Sequence, residues 1–229
     1  MHEQHPHGGG WLRDVVFGLN DGLVTTLVFI LAVSSVMHPQ LVVIAFGEMF
    51  AGGISMALGA FLSARTEQAV LSQRIATEGV EIAQEPDEER AELRQIYYEK
   101  GFRGNLLDAL IRYLTADRAR WLNAMVRDEL GVVTTGLERP PWLQGLLVGG
   151  SFMTGAFVPI VPFLTAVPLP QLWAYALTVL TALLLGVLKA RFTQQGPLHS
   201  GLEFLGITTA GAIAGVTIGA LLRTIARPR

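Results

Sequence analysis

Five stretches of this 229-residue chain, 15–37, 41–62, 142–167, 172–188 and 204–222, contain only two acidic or basic side chains between them, Asp21 and Glu48. A helix needs ~20 mostly apolar residues to cross the ~30 Å hydrocarbon core of a bilayer, and it must satisfy its backbone N–H and C=O groups internally. The stretches are 17 to 26 residues long and predict five membrane-spanning helices. The missing charges are concentrated elsewhere. Residues 65–139 hold 25 of the 36 charged side chains, 11 basic and 14 acidic. This division excludes a uniform soluble globule and a disordered chain. The net charge of −2 excludes a nucleic-acid binder, for want of a basic footprint. The absence of Cys excludes a disulfide scaffold, a Cys-type zinc site and an iron–sulfur protein. The first stretch is not a signal peptide: it lacks a basic leader, is too long, and carries acids within it.

The connections agree with five spans. Residues 36–40 form a tight break, Pro168 and Pro170 separate the third and fourth spans, and residues 194–197 separate the fourth and fifth. Basic residues near span ends mark the cytosolic side. Arg13, the 11 bases of the charged segment, Lys189 and Arg191 share one side, while Arg223, Arg227 and Arg229 fall on the other. The larger set places the N-terminus and the charged segment in the cytosol.

The charged segment reads as helices. Residues 63–84 continue the second span. Pro86 and the acids after it open a helix that runs to Lys100, with Gly101 as its C-cap. A further helical stretch covers 105–130, with a break at 115–117. The expected organisation is a flexible N-terminus (1–10), transmembrane helices 1 and 2 (11–63), a cytosolic helical metal-binding domain (64–140) and transmembrane helices 3 to 5 (141–229). The fold class is an all-α membrane protein.

Asp14, Asp21 and Glu48 are the acids in or beside spans. A charged side chain at the bilayer centre costs up to roughly 3 kcal/mol on insertion scales, and such groups face a water path or the protein interior. Asp14 and Asp21 are seven apart and share a helix face; Glu48, Gly52 and Met56 share a face of the next span. No basic residue lies deep in any span to neutralise them, so a cation is the natural partner. Outside the membrane, Glu78 and Glu81 are three apart, as are Glu89 and Glu92, and the two pairs flank Glu85-Pro86. An antiparallel hairpin there brings four carboxylates together, whose mutual repulsion a cation offsets; a solvated acidic face is the plain alternative. A ferritin-like di-iron oxidase would need Glu-x-x-His as well as Glu. The five His, at 2, 5, 7, 38 and 199, lie outside this segment. His2, His5 and His7 read as a tail.

Two packing signals complete the pattern. Gly211, Gly215 and Gly219, and Gly145 with Gly149, repeat at four-residue spacing and favour close helix contact. Pro159 and Pro162 should kink or break the third span.

The stretch Asp14-Val-Val-Phe-Gly-Leu-Asn-Asp21-Gly-Leu-Val-Thr resembles the first-span signature of the vacuolar iron transporter family. Glu48 and Met56 are similar to that family's second-span pair. Glu78, Glu81, Glu89, Glu92 and the Met125-Val126-Arg127-Asp128-Glu129-Leu130-Gly131 stretch resemble its cytosolic metal-binding domain, and Pro159-x-x-Pro162 resembles its third span. The resemblance covers the chain from Trp11 onward. It implies five transmembrane helices, a homodimer with the ion path between subunits, and export of ferrous iron, often also manganese, from the cytosol in exchange for protons. It further implies that Asp21 and Met56 line the path, that Asp14 and Glu48 serve ion entry or proton coupling, and that Glu78, Glu81, Glu89, Glu92, Met125 and Glu129 hold ions. Family members often have two adjacent Met where this chain has Met125-Val126. The short N-terminus suggests a prokaryotic form in the plasma membrane; a eukaryotic form would sit in the vacuolar membrane.

The chemistry is consistent with transport. Carboxylates bind Mg²⁺, Ca²⁺, Mn²⁺ and Fe²⁺ alike, and a thioether adds preference for the softer transition ions. A carboxylate out of water takes a proton or a cation in competition, which is the basis of antiport. The expectation is a proton-coupled divalent metal transporter for Fe²⁺ or Mn²⁺ in the lipid bilayer, with no tightly bound cofactor and no enzymatic activity. The alternatives are a membrane-bound ferroxidase and a metal-sensing scaffold that does not transport.

Overall fold

The computed structural model describes residues 9–33, 38–129, 131, 139–165, 167–193 and 196–225. The N-terminal His residues, Arg227 and Arg229 lie outside the described residues. Among the described residues, eight α-helices run in the order α1 (Gly9–Ala32), α2 (His38–Gln84), α3 (Pro86–Glu99), α4 (Gly104–Thr115), α5 (Arg118–Asp128), α6 (Pro141–Ile160), α7 (Pro170–Thr193) and α8 (Pro197–Ile225), with a 3₁₀ turn at Val161–Leu164 after α6. Five of them are long and apolar enough to cross a membrane: α1, α2, α6 with its 3₁₀ turn, α7 and α8. At ~1.5 Å per residue, the 47 residues of α2 make a helix roughly 70 Å long, more than twice a bilayer core. Only its apolar part, 41–62, belongs in the membrane; the charged part, 63–84, extends beyond it.

Several helix ends differ from the charge gaps in the sequence. α8 starts at Pro197 rather than 204, and Glu203 within it pairs with Lys189 of α7 at 2.8 Å. Pro159 lies inside α6, which ends at Ile160 and tightens to a 3₁₀ turn with Pro162 in its first turn. Pro159 is thus accommodated and the break comes at Pro162, whose missing N–H ends the α-helical ladder.

The chain forms two compact units, Ser63–Pro140 and the remainder. In the membrane unit the core joins Leu27 and Ile30 of α1, Leu41, Ala45 and Met49 of α2, Phe152, Ala156 and Ile160 of α6, Ala174 of α7 and Ala212 of α8. The helix contacts depend on glycine. A Cβ on Gly22 would lie 2.1 Å from the Phe152 carbonyl oxygen, and one on Gly155 would lie 2.2 Å from that of Leu19, so α1 and α6 approach backbone to backbone. Gly211, Gly215 and Gly219 meet Val24, Val28 and Ala32 of α1, and Gly145 and Gly149 meet α2 at Ala57. Both repeats thus pack helices, as their spacing predicts. Gly18 and Gly22 of α1 are also four residues apart, and both lie against α6, at Val148 and Phe152.

The charged unit is a small helical assembly around Ile82, Leu93, Tyr97, Leu107, Ile111, Leu114, Trp121, Ala124 and Met125. α4 buries Leu107, Ile111 and Leu114, one helical face. Asp117 caps α5, accepting from the Arg120 amide at 2.9 Å. α3 opens on Pro86, with Asp87, Glu88 and Glu89 in its first turn, where the helix dipole favours acids. Gly101, just past α3, has φ +99°, a conformation glycine adopts without strain.

Candidate metal sites

In the membrane unit the acids come from α1 and α2. Asp14 is buried at 7% exposure, 3.5 Å from the outward-pointing Arg13 guanidinium. Two turns further along the same helix, Asp21 accepts a hydrogen bond from the Thr25 hydroxyl. Thr26, fully buried, donates to Glu48 Oε2 at 2.7 Å and ties α1 to α2. Asp21 lies near enough to Glu48 for their charges to interact. Two carboxylates from different helices therefore share one region, although their sequence positions are far apart. Gly52 makes room there: a Cβ on it would lie 2.6 Å from the Phe152 ring and 3.7 Å from Glu48 Oε1. Met56 packs against the apolar core of the unit. Asn20 Oδ1 is buried with no hydrogen-bond partner among the described residues. Thr26 and Asn20 were not marked by sequence reasoning. Their only signal is a polar residue on either side of Asp21 in an otherwise apolar span.

In the charged unit the α2–α3 turn at Glu85-Pro86 folds the two acidic pairs onto each other. Glu78 and Glu89 are buried, at 4% and 8% exposure, and their carboxyl groups are hydrogen-bonded to one another. Such a bond requires one of them to carry a proton. Burial first, then the charges of Glu129, Glu89 and Glu81, push the Glu78 carboxyl up to about 8. Burial also raises Glu89, helped by the charges of Glu92, Glu81 and Glu85. Burial raises Glu129, with the charges of Glu92, Glu89 and Glu81, while a hydrogen bond with Glu78 opposes the rise. Glu78 Oε1 and Glu89 Oε2 have no hydrogen-bond partner among the described residues. Glu81 and Glu92 are exposed at the edge of this set.

The structure therefore brings Glu78, Glu81, Glu89, Glu92 and Glu129 into one electrostatic neighbourhood. It does not draw them into a formed coordination shell: among the described residues no three His, Asp or Glu side chains converge as they would around an ion. Met125 is wholly buried in the apolar core. The Glu129 amide donates to its carbonyl at 2.8 Å.

Sequence spacing does not reveal a second network beside Glu129. Asp128 accepts from Tyr97 Oη at 2.7 Å, from Arg127 and from Lys100. Burial alone would raise the Asp128 carboxyl; the hydrogen bonds from Arg127, Lys100 and Tyr97 overcome it and hold the group well below the usual carboxylate range.

The sequence profile of the VIT family matches residues 12–220. The chain belongs to the VIT family. Its similar relatives include vacuolar iron transporter 1 of Oryza sativa subsp. japonica, 30% identical over 224 residues, which cover 93% of this chain and 87% of that protein. Vacuolar iron transporter 1 of Arabidopsis thaliana is 29% identical, covering 97% of this chain and 89% of that protein. The vacuolar iron transporter of Plasmodium berghei (strain Anka) is 26% identical, covering 97% and 86%. The matched residues thus extend over both units.

Proposed function

We propose that this VIT-family chain is a proton-coupled transporter that moves Fe²⁺, and Mn²⁺ as a second substrate, out of the cytosol. The observation that carries this reading is that Asp21 and Glu48 in one unit, and Glu78, Glu81, Glu89, Glu92 and Glu129 in the other, have no basic partner among the described residues, while Asp14 has only the exposed Arg13. In the charged unit, Glu78, Glu81, Glu89, Glu92 and Glu129, with Met125 as a soft donor, collect the ion. In the membrane unit Asp21, Glu48 and Met56 pass it across, with Asp14 at the entry, along a path between two copies of the chain. Residues 64–140 act as the cytosolic metal-binding domain and lie with the N-terminus on the side that the basic residues mark. The names of the relatives support iron as the cargo.

Each carboxylate can take a proton or a cation, and one excludes the other by charge. A metal entering the site displaces a proton, and a proton entering from the far side displaces the metal. The donor set favours transport over oxidation, since the acidic cluster contains no Glu-x-x-His pair.

The test is reconstitution in liposomes. Fe²⁺ uptake should follow an imposed pH gradient and alkalise the lumen in step with metal flux, as protons leave in exchange. Asp21→Ala should lower flux at least tenfold with folding retained. Wild-type flux in that variant overturns the path assignment, and flux indifferent to the gradient overturns the coupling.

A further inference from the structure

A cluster of like charges does not hold itself together. Glu78 and Glu89 are fixed by the α2–α3 turn, but Glu129 lies past the end of α5, where an unsupported carboxylate would swing away from them. What holds it is next to it in sequence. Asp128 has a side chain only 9% exposed. Its Oδ2 accepts from Tyr97 Oη of α3 at 2.7 Å, and its Oδ1 accepts from Lys100 Nζ, the C-cap of that same helix. Arg127 donates both to Asp128, at 2.9 Å, and to Tyr97 Oη, at 3.1 Å. The Tyr97 ring itself is set by core packing and by an edge contact with Phe102 at 5.7 Å between ring centres.

These bonds join the C-terminal end of α5 to the C-terminal end of α3. Glu89 and Glu92 lie on that same α3. The anchor thus fixes Glu129 relative to the helix that carries two of the other acids. It uses a buried charge that is fully paired, so the fold does not carry an isolated ion. Charge-assisted hydrogen bonds of this kind are about twice as strong as neutral ones.

We infer that Asp128, anchored by Tyr97 and Lys100, is a positioning residue that holds Glu129 against Glu78 and Glu89 for metal capture. It is not itself a ligand. This inference rests on the reading of Glu129 as a metal-holding residue. Partners that orient a ligand typically change metal affinity ~10–100-fold when removed.

The experiment uses the full chain in detergent, with anaerobic Fe²⁺ alone as the probe and calorimetric titration as the readout. Asp128→Asn and Tyr97→Phe should each weaken Fe²⁺ binding about tenfold or more. Glu129→Gln should also weaken it. In the Glu129→Gln background, adding Asp128→Asn should cost little further affinity, because Asp128 acts through Glu129. In liposomes Asp128→Asn should raise the KM for Fe²⁺ and leave the maximal rate near wild type, a split that general loss of folded protein would not produce. If Glu129→Gln leaves binding unchanged, the metal-site reading fails. If Glu129→Gln weakens binding but Asp128→Asn and Tyr97→Phe do not, or if their effects add fully to that of Glu129→Gln, the positioning role is overturned.

Discussion

Replacing Glu78 with Gln should stabilise the metal-free protein at neutral pH while weakening its hold on metal. In the fold the Glu78 carboxyl is pushed from the ordinary 4.5 up to about 8 by burial and then by neighbouring negative charge. Its folded value is therefore above its unfolded value. The stability it contributes is fully present below the unfolded value and is lost as pH rises through the folded one, between about 4.5 and 8. At pH 7 the unfolded chain is about 2.5 pH units past its own value while the folded group remains largely protonated. At ~1.4 kcal/mol per unit this destabilises the fold by at most about 3.5 kcal/mol. Water around the exposed Glu81 and Glu92 screens the repulsion and brings the effect nearer about 1–2 kcal/mol. Gln keeps the size and a donor N–H for Glu89 but cannot ionise. Hydrogen–deuterium exchange of the full chain in detergent with chelator reads the result at the amides of α3 and α5. At pH 7 the Gln variant should exchange roughly 5–30-fold more slowly, and the difference should shrink severalfold by pH 5. The wild type must release a proton to take a cation, so its Fe²⁺ affinity should fall by up to about tenfold per pH unit on acidification below 8. The variant should bind more weakly with a shallower pH dependence. Equal or faster exchange in the variant at pH 7 would refute the reasoning, since it would mean the carboxyl is not disfavoured by its surroundings.

Two further substitutions probe the fold and the donor set. Gly22→Ala places a Cβ 2.1 Å from the Phe152 carbonyl and 2.8 Å from the Ala156 amide, both backbone; α1 and α6 must separate, and the yield of monodisperse protein on size-exclusion chromatography should fall sharply, whereas Gly150→Ala, where a Cβ meets nothing within 4 Å, should be tolerated. Met125→Leu conserves volume at a fully buried position and should cost under about 1.5 kcal/mol of stability, while Fe²⁺ binding in competition with Mg²⁺ should weaken; an unchanged preference would leave Met125 as core packing alone.

The spans were legible because charge is so costly in a bilayer that its absence over 17 residues or more is nearly diagnostic. The helix ends were less legible, and for a specific reason. Glu203 resembles a boundary when read alone, but it lies within α8 and pairs with Lys189 across the α7–α8 contact. Pairing across helices is a tertiary fact. The same holds for the glycines. The four-residue repeats in α6 and α8, and Gly18 with Gly22 in α1, are visible as patterns, whereas the partner each meets, such as Phe152 against Gly22 from 130 residues away, is not.

For the acids, helical spacing placed Glu78 with Glu81 and Glu89 with Glu92, and the Glu85-Pro86 break placed one pair near the other. Spacing did not say which of the four are buried, and that decides the chemistry. Glu78 and Glu89 are inside and share a proton, while Glu81 and Glu92 remain in water. The inner pair can thus hold a proton until a cation replaces it, and the outer pair can attract that cation from solvent without a desolvation cost of its own. The attraction and the exchange fall to different residues of one cluster. The separation depends on Ile82 and Leu93, core residues on the same two helices as the acids. Substitutions at these apolar positions should therefore change the pH dependence of metal capture as surely as substitutions at the acids.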